Sequence, residues 1–134
     1  LVDKCIMKFE KYQYVSNNTP PTKSDYANGS DVEVLSKSSL YNSAKNFLNN
    51  KDKEHVTFPF WDGRMNLKKY RLNKNSSDKK IRITLDYEED LIVLQKLLNY
   101  SQDIFINYDD IISTYKLLEL EKINGGFQYD AGWK

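Results

Sequence analysis

The chain is poor in the residues that most often announce a site. Its 134 residues include one cysteine, one histidine, three prolines and five glycines. A single Cys5 excludes an internal disulfide and offers no metal-ligand spacing, so a reducing, cytoplasmic compartment is expected. A single His55 excludes any zinc site or proton relay that needs two imidazoles from one chain. No apolar run approaches the roughly 18 residues of a membrane span, so no membrane partner is expected. Charge of one sign is lacking too: 20 Lys plus Arg stand against 19 Asp plus Glu, a net of +1. That balance supplies no field to draw in nucleic acid. The opening LVDKCIMKF has neither the basic start nor the unbroken apolar stretch of a secretory leader. It also lacks an initiator Met, and the expectation is a piece of a longer chain. What is present, 40% apolar and 29% charged residues, describes one globular domain at most.

Periodicity divides the chain into alternating elements. Asp3 is placed to cap a helix from Lys4 to about Lys11, with Ile6, Met7 and Phe9 apolar. Residues 12–16 alternate as a strand, and 17–30 (NNTPPTKSDYANGS) read as loop, with an Asn-Gly turn. Residues 31–35 (DVEVL) alternate again, with Glu33 opposite Val32 and Val34. Ser36 then caps a helix carrying Leu40, Ala44, Phe47 and Leu48. Met65 to Leu72 and Ile81, Ile83, Leu85 read as two more strands, separated by the solvated, Lys-rich turn 74–80. Two helices follow. The first, about Tyr87 to Tyr100, is expected to bury Leu91, Leu94, Leu97 and Leu98. The second, about Tyr108 to Leu120, carries Ile111, Ile112, Tyr115 and Leu118. The tail INGGFQYDAGWK has no period. Strands alternating with helices make the class α/β.

The densest chemistry is ITLDYEEDL, residues 83–91, where β-formers stop at Asp86 and three more acids follow. Two readings stand side by side. In the structural one, Asp86 and Glu89 form a capping box, and the acids complement the helix dipole by about 0.3–1 kcal/mol each. In the functional one, Asp86 stands where a strand's carboxyl end meets a helix, the usual ligand position of open α/β sheets. One carboxylate there cannot hold Mg²⁺ alone, because the ion needs further oxygen ligands.

Three blocks, in the same order, resemble the cytidylyltransferases of the spore-coat polysaccharide type, relatives of the CMP-KDO and CMP-sialic acid synthetases. ITLDYEEDLIVLQKLL resembles their closing Thr-x-Asp-x-x-Glu-Asp-Leu segment. Residues 28–36 (NGSDVEVLS) resemble their Asp-Gly-x-Asp-Val-Glu-Val-Phe segment, after a strand ending in Ser16-Asn17. Residues 53–57 (KEHVT) resemble their Arg-Glu-His-Val-Thr block. The resemblance implies a Rossmann-like mixed sheet of the nucleotide-diphosphosugar transferase (glycosyltransferase-A-like) type. It implies transfer of CMP from CTP to an acidic or modified sugar with release of pyrophosphate, assisted by Mg²⁺. Asp86 would be one metal-binding carboxylate and His55 would face the sugar, with Glu33 lining the same pocket. The nucleotide-binding loop rich in Arg, Ser, Pro and Lys and the upstream metal-binding Asp have no counterpart here, and the proline after His55 falls one place late. The implied assignment is therefore the carboxyl-terminal part of such a synthetase, inactive alone, with CTP and sugar bound by the full-length enzyme. The alternative is a non-catalytic sugar-binding or subunit-assembly domain derived from that fold.

Each candidate also has an ordinary role. His55 can be a polar surface residue, or its ring can hydrogen-bond a sugar hydroxyl or carboxylate. Glu33 can sit on a solvated strand face or, in a cleft, need a partner such as Arg82 or a sugar hydroxyl. Arg82, four residues before Asp86 and on its face, can pair with a strand-face acid or meet a phosphate. Phe58, Phe60 and Trp61 are read as core or a subunit contact, the latter implying a homodimer, in preference to a stacking platform. If the functional reading holds, Asp86 and His55 are expected at one mouth of the sheet, about 8–15 Å apart, with room for a sugar and a phosphate.

Overall fold

The computed structural model describes residues 1–18 and 24–127. Among these the chain is mixed α/β, with one three-stranded mixed sheet and seven helices. It divides into two compact units, one formed by Val2–Lys23 with Val32–Leu72, the other chiefly by Ser24–Asp31 with Asn73–Lys134. No helix among the described residues is long and apolar enough to cross a membrane.

The first unit contains the sheet, in the order β2-β1-β3. Strand β1 (Tyr14–Ser16) runs antiparallel to β2 (Glu33–Leu35), with Val15 opposite Val34, and parallel to β3 (Lys69–Arg71), with Val15 opposite Tyr70. All three residues of β1 are buried while both flanking strands are half-buried, as a central strand requires. Phe60 stacks on Tyr14 at 5.1 Å between ring centres and is fully buried, so this aromatic is core. It comes from the short helix α4 (Phe58–Trp61), which tolerates Pro59 because its first turn has no intrahelical partner for that N–H.

Several elements are shorter or turned differently from the sequence expectation. Helix α1 (Val2–Phe9) begins before Asp3 and buries Cys5, leaving Ile6 and Met7 exposed. Ser36 does cap α2 (Lys37–Ala44), accepting from the Ser39 N–H at 3.0 Å. Its buried residue is Ser43, whose hydroxyl donates to the Leu40 carbonyl one turn back; Leu40, Ala44 and Leu48 are exposed. Of Met65–Leu72 only Lys69–Arg71 is strand, because Met65 bonds back to the Pro59 carbonyl and Leu67 to that of Met65, curling the chain first.

The second unit is built on α5 (Glu88–Ser101), α6 (Tyr108–Leu117) and α7 (Glu121–Asn124). Its core is Ala27, Ile81, Val93, Leu97, Ile112, Tyr115 and Leu120. Residues 81, 83 and 85 do not form the expected strand; Arg82 makes a single parallel bridge with Asn28. The Asn28 N–H donates to the Ile81 carbonyl at 2.9 Å and the Ile83 N–H to the Asn28 carbonyl at 2.8 Å. Gly29 then turns the partner segment away at φ +93°, which ends the ladder and leaves Leu85 exposed. Helix α5 buries Asp90, Val93 and Leu97, with Leu94 packed on the core, while Leu91 and Leu98 are exposed. Helix α6 keeps its expected start, capped by Asn107, and buries Ile112, Thr114 and Tyr115. Leu118 lies past its end. Residues 19–23, including both prolines of the expected loop, and residues 128–134 of the tail lie outside the described residues.

Candidate functional site

The candidate residues fall into two groups, Arg82 and Asp86 in the helical unit and Glu33 and His55 in the sheet unit. Each group is built by its own local chemistry.

In the helical unit Arg82 is buried and organises the acid cluster. Its Nε donates to Asp90 Oδ1 at 2.9 Å, and its Nη2 donates to Asp90 Oδ2 at 2.8 Å and to Asp86 Oδ2 at 2.7 Å. Asp90 is fully buried, and it also accepts from Asn124 Nδ2 at 2.9 Å and from the Asp86 and Tyr87 N–H groups. The reach-back half of the capping arrangement is thus made by Asp90, one residue later than the expected Asp86–Glu89 pair. Burial alone would raise the Asp90 pKa, but the bonds from Arg82, Asn124 and the Asp86 backbone outweigh it and hold it well below the usual carboxylate range. The Arg82 guanidinium is held protonated still more firmly, first by Asp90. Asn124, itself buried, donates a second bond to the Arg82 carbonyl and accepts from the Tyr115 hydroxyl at 2.7 Å, tying α6 and α7 to the cluster.

Asp86 differs from Asp90. Its side chain is 63% exposed, with one oxygen on Arg82. Arg82, Asp86 and Asp90 together carry one guanidinium and two carboxylates, so the cluster keeps one negative charge with Asp86 as its accessible member. No group of three or more His, Cys, Asp or Glu side chains is placed to hold a metal ion among the described residues. The donor set present fits one ligand of a divalent ion, Asp86, since the oxygens of Asp90 are already engaged.

In the sheet unit, Glu33 is half-buried on β2 and accepts from Thr57 Oγ1 at 3.2 Å. Arg82, weighed as a partner for Glu33, bonds Asp90 and Asp86. His55 ends helix α3 (Asn50–Glu54), its N–H donating to the Lys51 carbonyl, and its ring lies 4.8 Å from that of Phe58. Beneath this corner Asp52, buried, takes Arg64 through Nη1 and Nη2 at 2.6 and 2.7 Å and accepts the Leu48 N–H at 2.6 Å. Arg64 and then Leu48 hold the Asp52 carboxyl well below its usual range. The helix that presents His55 is therefore pinned by an ion pair at its centre.

The sequence reading missed Asp52, Arg64, Asp78, Asp90 and Asn124. The turn 74–80 is less solvated than its composition suggests: Asp78 is buried, paired with Lys74 and accepting from the Tyr108 hydroxyl at 3.0 Å. Asp90 stands among first-turn acids that the helix dipole already explains, so the sequence carried no separate signal for it. Comparison with known protein families, curated proteins and solved structures found no match.

Proposed function

We propose that the chain is the carboxyl-terminal part of a CMP-sugar synthetase of the spore-coat polysaccharide type, with the Rossmann-like transferase sheet that this implies. In this reading Mg²⁺, held largely by groups outside this chain, would supply Lewis-acid stabilisation of charge at the α-phosphate. Asp86 would be one of its carboxylate ligands. Arg82 orients Asp86 through the 2.7 Å bond and is itself fixed by Asp90. His55 would bind the acceptor sugar, with Glu33 and Thr57 placing a hydrogen-bonded carboxylate and hydroxyl in the same unit. The residues of this chain hold and orient; the attacking hydroxyl belongs to the sugar, and pyrophosphate leaves from CTP.

The observation that supports the reading is how the three similar blocks engage one another. Glu33 of the Asp-Val-Glu-Val block bonds Thr57 of the Glu-His-Val-Thr block. Asn28, beside Gly29 of that same first stretch, pairs backbone to backbone with residues 81–83, which lead into Asp86. A Cβ at Gly29 would meet the Ile83 carbonyl and Thr84 nitrogen at 2.7 Å, so the glycine permits this approach. Glu33, which the resemblance singles out, thus contacts the second block, and Asn28 lies against the segment that leads into the third.

The test is label transfer from α-³²P-CTP to acidic nonulosonate and octulosonate sugars, using the full product of the reading frame that encodes this chain. Formation of a labelled sugar phosphodiester with stoichiometric pyrophosphate is expected. His55→Ala is expected to raise the KM for the sugar while leaving that for CTP nearly unchanged. A product without label transfer to any such sugar refutes the proposal.

A further inference from the structure

The helical unit contains a cavity of about 660 Å³ whose lysines the reading above does not use. Its lining includes Lys79, Lys80, Lys116 and Arg82, against one acid, Glu121. Its apolar lining is the edge of the core at Ile81 and the ring of Phe127, which stacks on Tyr87 at 4.2 Å. The volume lies within the range of small-molecule sites, about 300–1,000 Å³.

The lysines are available to a ligand. Lys116 reaches Asp78 only at 3.4 Å, and that carboxylate is already served by Lys74 and by the Tyr108 hydroxyl. Lys79 reaches Asp25 at 3.7 Å between two partly exposed side chains, a contact of little energy. Arg82 is different, since its planar fork is occupied by Asp90 and Asp86. The bidentate recognition that favours a carboxylate is thereby taken up, and the cations left are compact ammonium groups, which act on a phosphate as point charges. A dianionic phosphate monoester matches several such charges better than a single carboxylate does.

We propose that this cavity binds a phosphate monoester carrying a flat apolar ring, the phosphate held by Lys79, Lys80 and Lys116 and the ring against Ile81 and Phe127. Lys79, Lys80 and Lys116 have no role in the proposed cytidylyl transfer, so the proposal holds or fails independently of it.

The probe is phenyl phosphate, titrated into the isotopically labelled full-length protein and followed by amide resonances. Saturable shifts at Ile81 and Gly125, weakened by salt, are expected, with inorganic phosphate and phenol each binding at least about tenfold more weakly. Lys80→Glu, at an exposed position with no ion pair among the described residues, is expected to weaken phenyl phosphate at least about tenfold without altering the remaining spectrum. Lys79→Glu serves as a second variant should that one fold poorly. Absence of saturable shifts at these residues overturns the proposal, as does equal binding of phenol or unchanged affinity in both lysine variants.

Discussion

At the residue scale, two aspartates four positions apart serve opposite ends. Asp90 is buried and bonded on both oxygens; Asp86 is exposed and bonded on one. Removing one partner of a buried pair strands the other charge, so Asp90→Ala is expected to lose about 3–5 kcal/mol in denaturant unfolding. Asp86→Asn removes one exposed contact and is expected to cost under about 1 kcal/mol. The pH dependence follows from Asp52, Asp78 and Asp90, all held ionised by the folded state below the ordinary range. The unfolded chain binds their protons near pH 3.9, so their contribution is complete above about pH 5 and disappears as pH falls further. Unfolding temperature is therefore expected to be level from pH 5 to 7 and to fall steeply below 4; a fall beginning above pH 6 would point to other groups. Arg82 and Asp86 were legible as sharing a face, but their pairing was not, because Arg82 was expected to meet Glu33, another strand-face acid or a phosphate. Asp90 was not legible, because an acid in the first turn of a helix is usually explained by the dipole alone.

At the scale of elements, the apolar pattern located α1, α2, α5 and α6 but not the short α3, α4 and α7, and it read the buried face of α6 better than that of α5. Helix α5 illustrates the reason. Leucines at 91, 94, 97 and 98 suggest one face, but the Arg82–Asp90 pair fixes the rotation, and one residue is about 100° of turn. The inward residues become Asp90, Val93 and Leu97. Leu97→Ala is accordingly expected to cost about 2–5 kcal/mol and Leu91→Ala about 0.5 or less, a contrast the leucine pattern does not supply. The segment 81–85 shows the complementary limit. Its β-formers are real, but a strand needs a partner of equal length, and here the partner turns away at Gly29. Gly29→Ala combines a positive φ with a Cβ 2.7 Å from backbone atoms and is expected to cost at least about 1–3 kcal/mol. An unchanged unfolding midpoint would show that residues 28–30 do not pack on 81–84 in solution.

At the scale of the whole molecule, apolar side chains remain uncovered in both units. Ile6, Met7 and Leu48 in one, and Leu85, Leu91, Ile104 and Phe105 in the other, are all exposed, several beyond 70%. Scattered singly they need no explanation. Under the proposed reading as part of a larger synthetase some of them are covered there, and the 134-residue chain is expected to bind 8-anilinonaphthalene-1-sulfonate more strongly than the full product of the reading frame; equal binding would count against that reading. The α/β class and the order of the main elements were readable from alternation and caps. The division into two units was not, because segments that cross between them, such as 24–31, carry no compositional mark.

Asp86 as a metal ligand is the point on which the proposed chemistry turns, and replacing its oxygen by sulfur tests it most directly. In the full-length protein, Asp86→Cys is expected to abolish CMP transfer supported by Mg²⁺ and to recover part of it with the thiophilic Cd²⁺. The variant should unfold at nearly the wild-type temperature. Undiminished transfer with Mg²⁺ in the cysteine variant would contradict the assignment.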